Sequence, residues 1–179
     1  MRFAAFFRNV NFGHAGSSDK AQFVAAFNAV GAKHADSFLT HGNASFSATG
    51  ADEAQVWVNE VCLRLRQVCA WDGVAYTRSM AYLAERVAAD PFIAAPQDDI
   101  SERCVTFLPD HLAGIPDIPI VVPRRDLEVF AVQAGEAYSV TRLVNGRPGN
   151  VNGLLERRLK IPLTTRNWNT VVRLVQRES

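Results

Sequence analysis

"RFAAFFR", residues 2–8, is the stretch from which the chain is read. Aromatic residues and alanines in unbroken succession suit a β-strand. The following "NVNFGHAGSSD" (9–19) is a loop that ends in Ser17, Ser18 and Asp19, three side chains able to cap a helix. Phe23, Phe27 and Val30 then recur at helical spacing, and Gly31 supplies the stop. "ADSFLT" (35–40) and "ASFSA" (44–48) read as two short strands joined by the tight turn "HGN" (41–43). A second helix, from about Asp52 to Cys69, carries Ala54, Trp57, Val58, Val61, Leu65 and Val68 on one stripe, and "DGVAYTR" (72–78) reads as a strand. Strand, helix, strand, strand, helix, strand is the order of a ferredoxin-like α/β plait with both helices on one sheet face.

The second half reads as a trimmed copy. Ser79 caps a third helix with Met80, Leu83 and Val87, which "DPFIAAPQDDISE" (90–102) ends, since Pro91 and Pro96 cannot continue it. The strand "RCVTFL" (103–108) precedes a proline-rich stretch with Pro109, Pro116, Pro119 and Pro123, leaving room for a short helical turn. "DLEVFAV" (126–132) and "EAYSVTRLV" (136–144) form a hairpin around Ala134-Gly135, and two helices follow, about 150–160 and 166–177. The expected architecture is α+β, two tandem ferredoxin-like lobes over residues 1–90 and 91–179, the second trimmed and carrying C-terminal helices.

The 179 residues are enough for a real core, and 21% charged residues mark neither a disordered nor a membrane composition. The apolar run Phe3–Phe7 is far too short to span a bilayer and lacks the features of a secretory signal, so the chain is expected to be soluble and cytoplasmic. Cys62, Cys69 and Cys104 form no CxxC pair. Cys62 and Cys69 would lie ~10 Å apart along a helix, beyond disulfide reach, so all three read as small buried hydrophobes.

Several segments resemble a large bacterial family catalogued only as a domain of unknown function. Its members begin with an "ALLRGINVGG"-like strand and loop, carry an "SGN" turn and an "NPF" segment, and end in "GRSK…NALLERKL…P.TTRNWNT". The counterparts here are "AFFRNVNFGH" (5–14), "HGN" (41–43), "DPF" (90–92) and "GRPGNVNGLLERRLKIPLTTRNWNT" (146–170). The resemblance implies two related α/β-plait lobes in tandem and no known reaction. Arg8, Asn11 and Gly13 match its first loop, but Asn9 and His14 replace glycines and His41 replaces a serine. Pro148 and Gly149 stand where a serine and a lysine are usual, which removes a hydroxyl and a charge.

Charge is unevenly spread. Residues 1–140 hold 11 Lys/Arg against 16 Asp/Glu, a balance of −5, and residues 141–179 hold 8 against 2, a balance of +6. A basic end of this kind meets something negative, either a ligand or the acidic lobe of its own chain. In "TTRNWNTVVRLVQR" (164–177), Trp168, Val171, Val172 and Val175 form an apolar face that marks Trp168 as a core anchor. With Thr164 or Thr165 as cap, Arg166 and Asn167 fall at a helix start, a ready site for an anion, with Arg173 and Arg147 as further cations. Arg157, Arg158, Lys160 and Arg142 extend the basic end towards a nucleic-acid footprint. Base stacking on the first sheet is not expected, because Phe46 is needed under the helices and Ser45 and Ser47 take the other face.

Three functions follow. The first is a non-enzymatic binding protein whose basic C-terminal face takes a phosphate-bearing ligand or nucleic acid. The second is an enzyme using Arg8, Asn11, His41 and Asn43, from a polar cluster that also includes His14, in a cleft between lobes. The third is a structural interaction module. The histidines show no HxH or HExxH spacing, and P-loop, GxSxG and GxGxxG patterns are missing, so neither a metal nor a cofactor is expected. The chain is expected to be a monomer or homodimer.

Overall fold

In the structure, a computed structural model, residues 2–8 deliver the expected strand, β1 (Arg2–Phe7). The residues described are 1–178 without 15, 70, 110–111, 113–116 and 134. They fall into two units, Met1–Leu83 and Ala84–Ser179.

In the first unit, β1 is followed by α1 (Lys20–Ala29), β2 (Lys33–Phe38), β3 (Asn43–Ser47), α2 (Ala51–Val68) and β4 (Ala75–Ser79). The strands form one antiparallel sheet in the order β2-β3-β1-β4, the plait order. Register sets Phe3 opposite Phe46 and Ala5 opposite Ala44, so these residues and Phe7 share a face. Phe23 and Phe27 of α1 and Ala54, Val58, Val61 and Leu65 of α2 join the same core, so both helices cover that face. Phe7 sits at its centre, edge-on to Phe23 at 4.9 Å and Phe27 at 5.9 Å between ring centroids. Of the three capping candidates Asp19 does the work. Its carboxylate accepts from Gln22 N at 2.7 Å while its own N–H donates to Gln22 Oε1 at 3.0 Å, a capping box that contributes about 1 kcal/mol.

The opposite face of this sheet is also closed. Ala4, Phe6, Asn43 and Ser45 are buried, and the Arg2 guanidinium donates to Ser45 Oγ and Ser47 Oγ. With Phe3, Phe6, Phe7 and Phe46 all buried, β1 and β3 present no aromatic platform for base stacking.

Helix α3 (Met80–Ala89) starts on Ser79, whose Oγ accepts from Tyr82 N at 3.2 Å. In the second unit a 3-10 turn over Pro91–Ala94 precedes β5 (Glu102–Phe107), β6 (Ile120–Val121), β7 (Leu127–Gln133), β8 (Glu136–Thr141), β9 (Leu143–Val144), β10 (Arg147–Pro148), α4 (Val151–Leu159), β11 (Thr164–Asn167) and α5 (Trp168–Glu178). Five strands form an antiparallel sheet ordered β11-β5-β8-β7-β6. Without the edge strand β6, the order β7-β8-β5-β11 follows the same sequence of connections as β2-β3-β1-β4. Among the described residues between β5 and β6 there is no helix. Ala134, His111 and Pro116 lie outside the described residues, while Gln133 and Glu136 pair across the β7–β8 hairpin.

Two features correct the sequence reading. Thr164 to Asn167 are a strand, paired with Phe107 to Cys104, and not the cap and first turn of the last helix. Adjacent β-branched threonines favour the pleated backbone, and the pairing with β5 outweighs the helical pattern that follows. The expected strand 136–144 breaks at Arg142, whose N–H donates to Asp126 O and whose side chain turns to Asp98 at 3.1 Å and Glu128 at 3.6 Å. The Arg142 guanidinium holds the Asp98 carboxyl below its ordinary value. This part of the basic end is therefore neutralised by carboxylates of its own unit.

Register also shows that both sheet faces in this unit are covered. Thr165, opposite Thr106, bonds Asn152 of α4 at 3.0 Å, while Tyr138, opposite Val105, meets Trp168 of α5 at 5.9 Å on the other face. β8 is accordingly buried along its whole length.

Candidate functional site

A depression of the second unit arises from unequal strand lengths. β11 pairs with β5 only from Thr164–Phe107 to Asn167–Cys104, then turns into α5 at Trp168. Glu102 and Arg103 run on beyond that end, paired only with Thr141 and Val140 of β8. The notch left beside them has a volume of about 540 Å³ and is lined by Gln97, Ile100, Ser101, Glu102, Arg103, Asn167, Trp168, Asn169 and Val172.

Three groups give the notch its chemistry. Trp168 and Asn169 of the first turn of α5 line it, and a helix N-terminus carries partial positive charge. Asn167, exposed, caps that turn by accepting from Asn169 N at 3.0 Å. Arg103 is also exposed, and its guanidinium lies over the Phe92 ring at 5.8 Å, a cation–π contact that limits where it can swing. No carboxylate pairs with Arg103 among the described residues. Phe92 is fixed in turn by Tyr138 at 5.7 Å and Trp168 at 5.5 Å. Trp168 is thus the buried anchor its spacing indicates, although Leu174 replaces Val172 on the buried face, and Val172 lines the notch instead.

Of the four residues expected to bind an anion, only Asn167 lines this notch. Arg166 is half-buried in β11, donating to Thr164 Oγ1 at 2.6 Å and Thr165 O at 2.9 Å. Burial pushes its pKa down to about 10, which leaves it cationic near neutrality. Arg173 is exposed on α5, and Arg147 is exposed on β10 opposite Val144; neither lines the notch. Arg103, and not Arg166, is the arginine that lines the notch. Its signal was readable only through the strand pairing: once "TTRN" lies along "RCVTFL" in antiparallel register, the residues before Cys104 overhang the helix start.

Of the polar cluster of the first unit, Asn11 and His14 line one depression, and Arg8, His41 and Asn43 are not among its lining residues. The cluster's loops do meet: Phe12 N donates to Thr40 O at 3.0 Å and Phe7 N to Gly42 O at 2.8 Å. Asn43 is fully buried and donates to Phe38 O at 3.0 Å, a turn-closing bond. His41 is exposed with Nδ1 3.3 Å from Thr40 Oγ1, and the Arg8 carbonyl accepts from Trp71 Nε1 at 2.7 Å. Asn11 and His14 line a depression of about 330 Å³ together with Asn9, Gly16, Ser17, Trp71 and Asp72. Asn9, in a position where the resembled family has glycine, takes φ +56°, a left-handed conformation that asparagine tolerates better than most residues.

Cys62 and Cys104 are buried and Cys69 half-buried; all three are free thiols. Burial pushes the Cys62 and Cys104 thiols up to about 12, so neither is a thiolate nucleophile near neutral pH. Among the described residues no three His, Cys, Asp or Glu side chains gather as metal ligands, and no helix is long and apolar enough to cross a membrane.

Comparison with known proteins places the fold. The family model described as "Protein of unknown function (DUF1697)" matches residues 1–138. A conserved bacterial protein from Streptococcus pneumoniae, SP0830, superposes with a TM-score of 0.64 over 98% of this chain and 97% of its own, at 16% identity. At that identity the likeness is one of fold. No curated protein matches the sequence.

Proposed function

The chain belongs to the DUF1697 family of proteins of unknown function, and we propose that it is a cytoplasmic, non-enzymatic binding protein that takes a small phosphate-bearing ligand in the notch at the start of α5. The observation that carries this reading is the convergence of Arg103 and the first turn of α5 on one 540 Å³ depression. A helix N-terminus and an arginine without a carboxylate partner among the described residues are complementary to the same charge. Trp168 supports the geometry, since it fixes both the helix start and the ring under Arg103. Glu102 also lines the notch and discourages anions of high charge, which favours a monoester over a polyphosphate.

Titration calorimetry with inorganic phosphate at low salt tests this. A hydrogen bond to a charged group contributes ~1.5–3 kcal/mol, so Arg103→Ala is expected to weaken binding about tenfold or more, and Arg147→Ala to leave it within a factor of about two. Equal affinities for wild type and Arg103→Ala would remove the notch as the site. Tighter binding of an oligonucleotide, lost on replacing Arg157 and Arg158, would move the function to the exposed face of α4.

A further inference from the structure

The depression in the first unit has a chemistry unlike that of the notch. Its side chains are those of two asparagines, a histidine, a serine, an aspartate and a tryptophan. Asp72 is ion-paired with Arg66 Nε at 3.2 Å, and Arg66 also donates to Gly73 O at 3.0 Å, so the carboxylate of the depression is balanced. Among the described residues, no arginine or lysine lines the depression. Asn9, Asn11 and His14 are exposed, and their side chains have no hydrogen-bond partner among the described residues. The Ser17 hydroxyl accepts from Asn11 N at 3.2 Å and retains its proton for donation.

Trp71 forms the apolar wall. It is buried, bonded through Nε1 to Arg8 O at 2.7 Å, and packed against Phe7 at 5.9 Å. Gly73 presses on its ring so closely that a Cβ there would lie 2.5 Å from Cζ2. The wall is therefore fixed before any ligand arrives, and the polar groups stand around it.

We propose that this depression is a second ligand site, for a neutral polyhydroxylated molecule of monosaccharide size. Each hydroxyl of such a molecule donates and accepts at once, which matches a mixture of amide, hydroxyl, imidazole and carboxylate groups better than a purely donating or purely accepting ligand would. The volume of about 330 Å³ lies at the small end of ligand pockets. The site shares no residue with the notch and does not rest on the anion reading.

Saturation-transfer NMR on the whole protein tests it, with D-glucose, D-mannose, D-ribose and N-acetyl-D-glucosamine as probes. At least one probe is expected to receive transfer. Asn11→Ala is expected to abolish that transfer and Asp72→Asn to reduce it, both with an unchanged melting temperature, because neither side chain is buried. Arg103→Ala is expected to leave it intact. Absence of transfer to all four probes, transfer that survives Asn11→Ala, or displacement by inorganic phosphate would each overturn the proposal.

Discussion

Replacing Trp168 with alanine is expected to cost about 3–5 kcal/mol of stability, the range for truncating a buried aromatic. The indole is 7% exposed and packs at 5.5 Å from Phe92 and 5.9 Å from Tyr138. It is also the first residue of α5, so its loss frees the helix start from the sheet. The hole cannot close by a small shift, because Phe92 and Tyr138 are already held by one another at 5.7 Å. Thermal unfolding followed by circular dichroism should show the midpoint falling by roughly 10 °C. A cost under about 1 kcal/mol would mean that the ring is a surface group and that α5 is anchored elsewhere. The same variant should lose phosphate affinity although Trp168 carries no charge, since it positions both the helix start and the ring beneath Arg103.

Gly42→Ala is the second large effect. Gly42 has φ +63°, and a Cβ built there would lie 2.6 Å from Val10 Cβ and 3.1 Å from Phe7 Cβ. Left-handed backbone costs an alanine ~1–2 kcal/mol, and forcing apart a packed contact ~1–3 kcal/mol more. A total near 3 kcal/mol is expected, because Val10 and Phe7 belong to the core and cannot retreat. Gly146→Ala separates the two contributions. Gly146 has φ +71° with nothing within 4 Å of the added carbon, so its substitution should cost only the backbone part. Equal losses from the two substitutions in urea unfolding would show that the contact of the β1 loop with the β2–β3 turn is not tight.

The sequence made the first unit readable because every element there carries its own period. Phe23 and Phe27 repeat at helical spacing, Phe3 and Phe7 alternate with Phe6, and the "HGN" turn separates two strands whose pairing then follows. The second unit was readable only in part. β11 is four residues long and runs without a break into α5, so the 3.6-residue pattern of Trp168, Val171 and Val175 extended itself backwards over Arg166 and Asn167. β6, with two residues, leaves no pattern at all. The missed strand displaced the candidate site by one element, since the cation of the notch sits on β5, more than sixty residues from the helix it faces. The loop site shows the same limit. Asn11 and His14 were visible as polar loop residues, whereas Trp71 and Asp72 reach them only through the fold.

The central claim is that the start of α5 and Arg103 together hold a phosphate group. Amide NMR during a phosphate titration tests it most directly. The backbone signals of Trp168, Asn169 and Thr170 and the Arg103 side-chain Nε–H signal are predicted to move together along one binding curve, and to stay still in Arg103→Ala. Saturable shifts confined to Arg157, Arg158 and Lys160, or no saturable shift at residues 168–170, would contradict it.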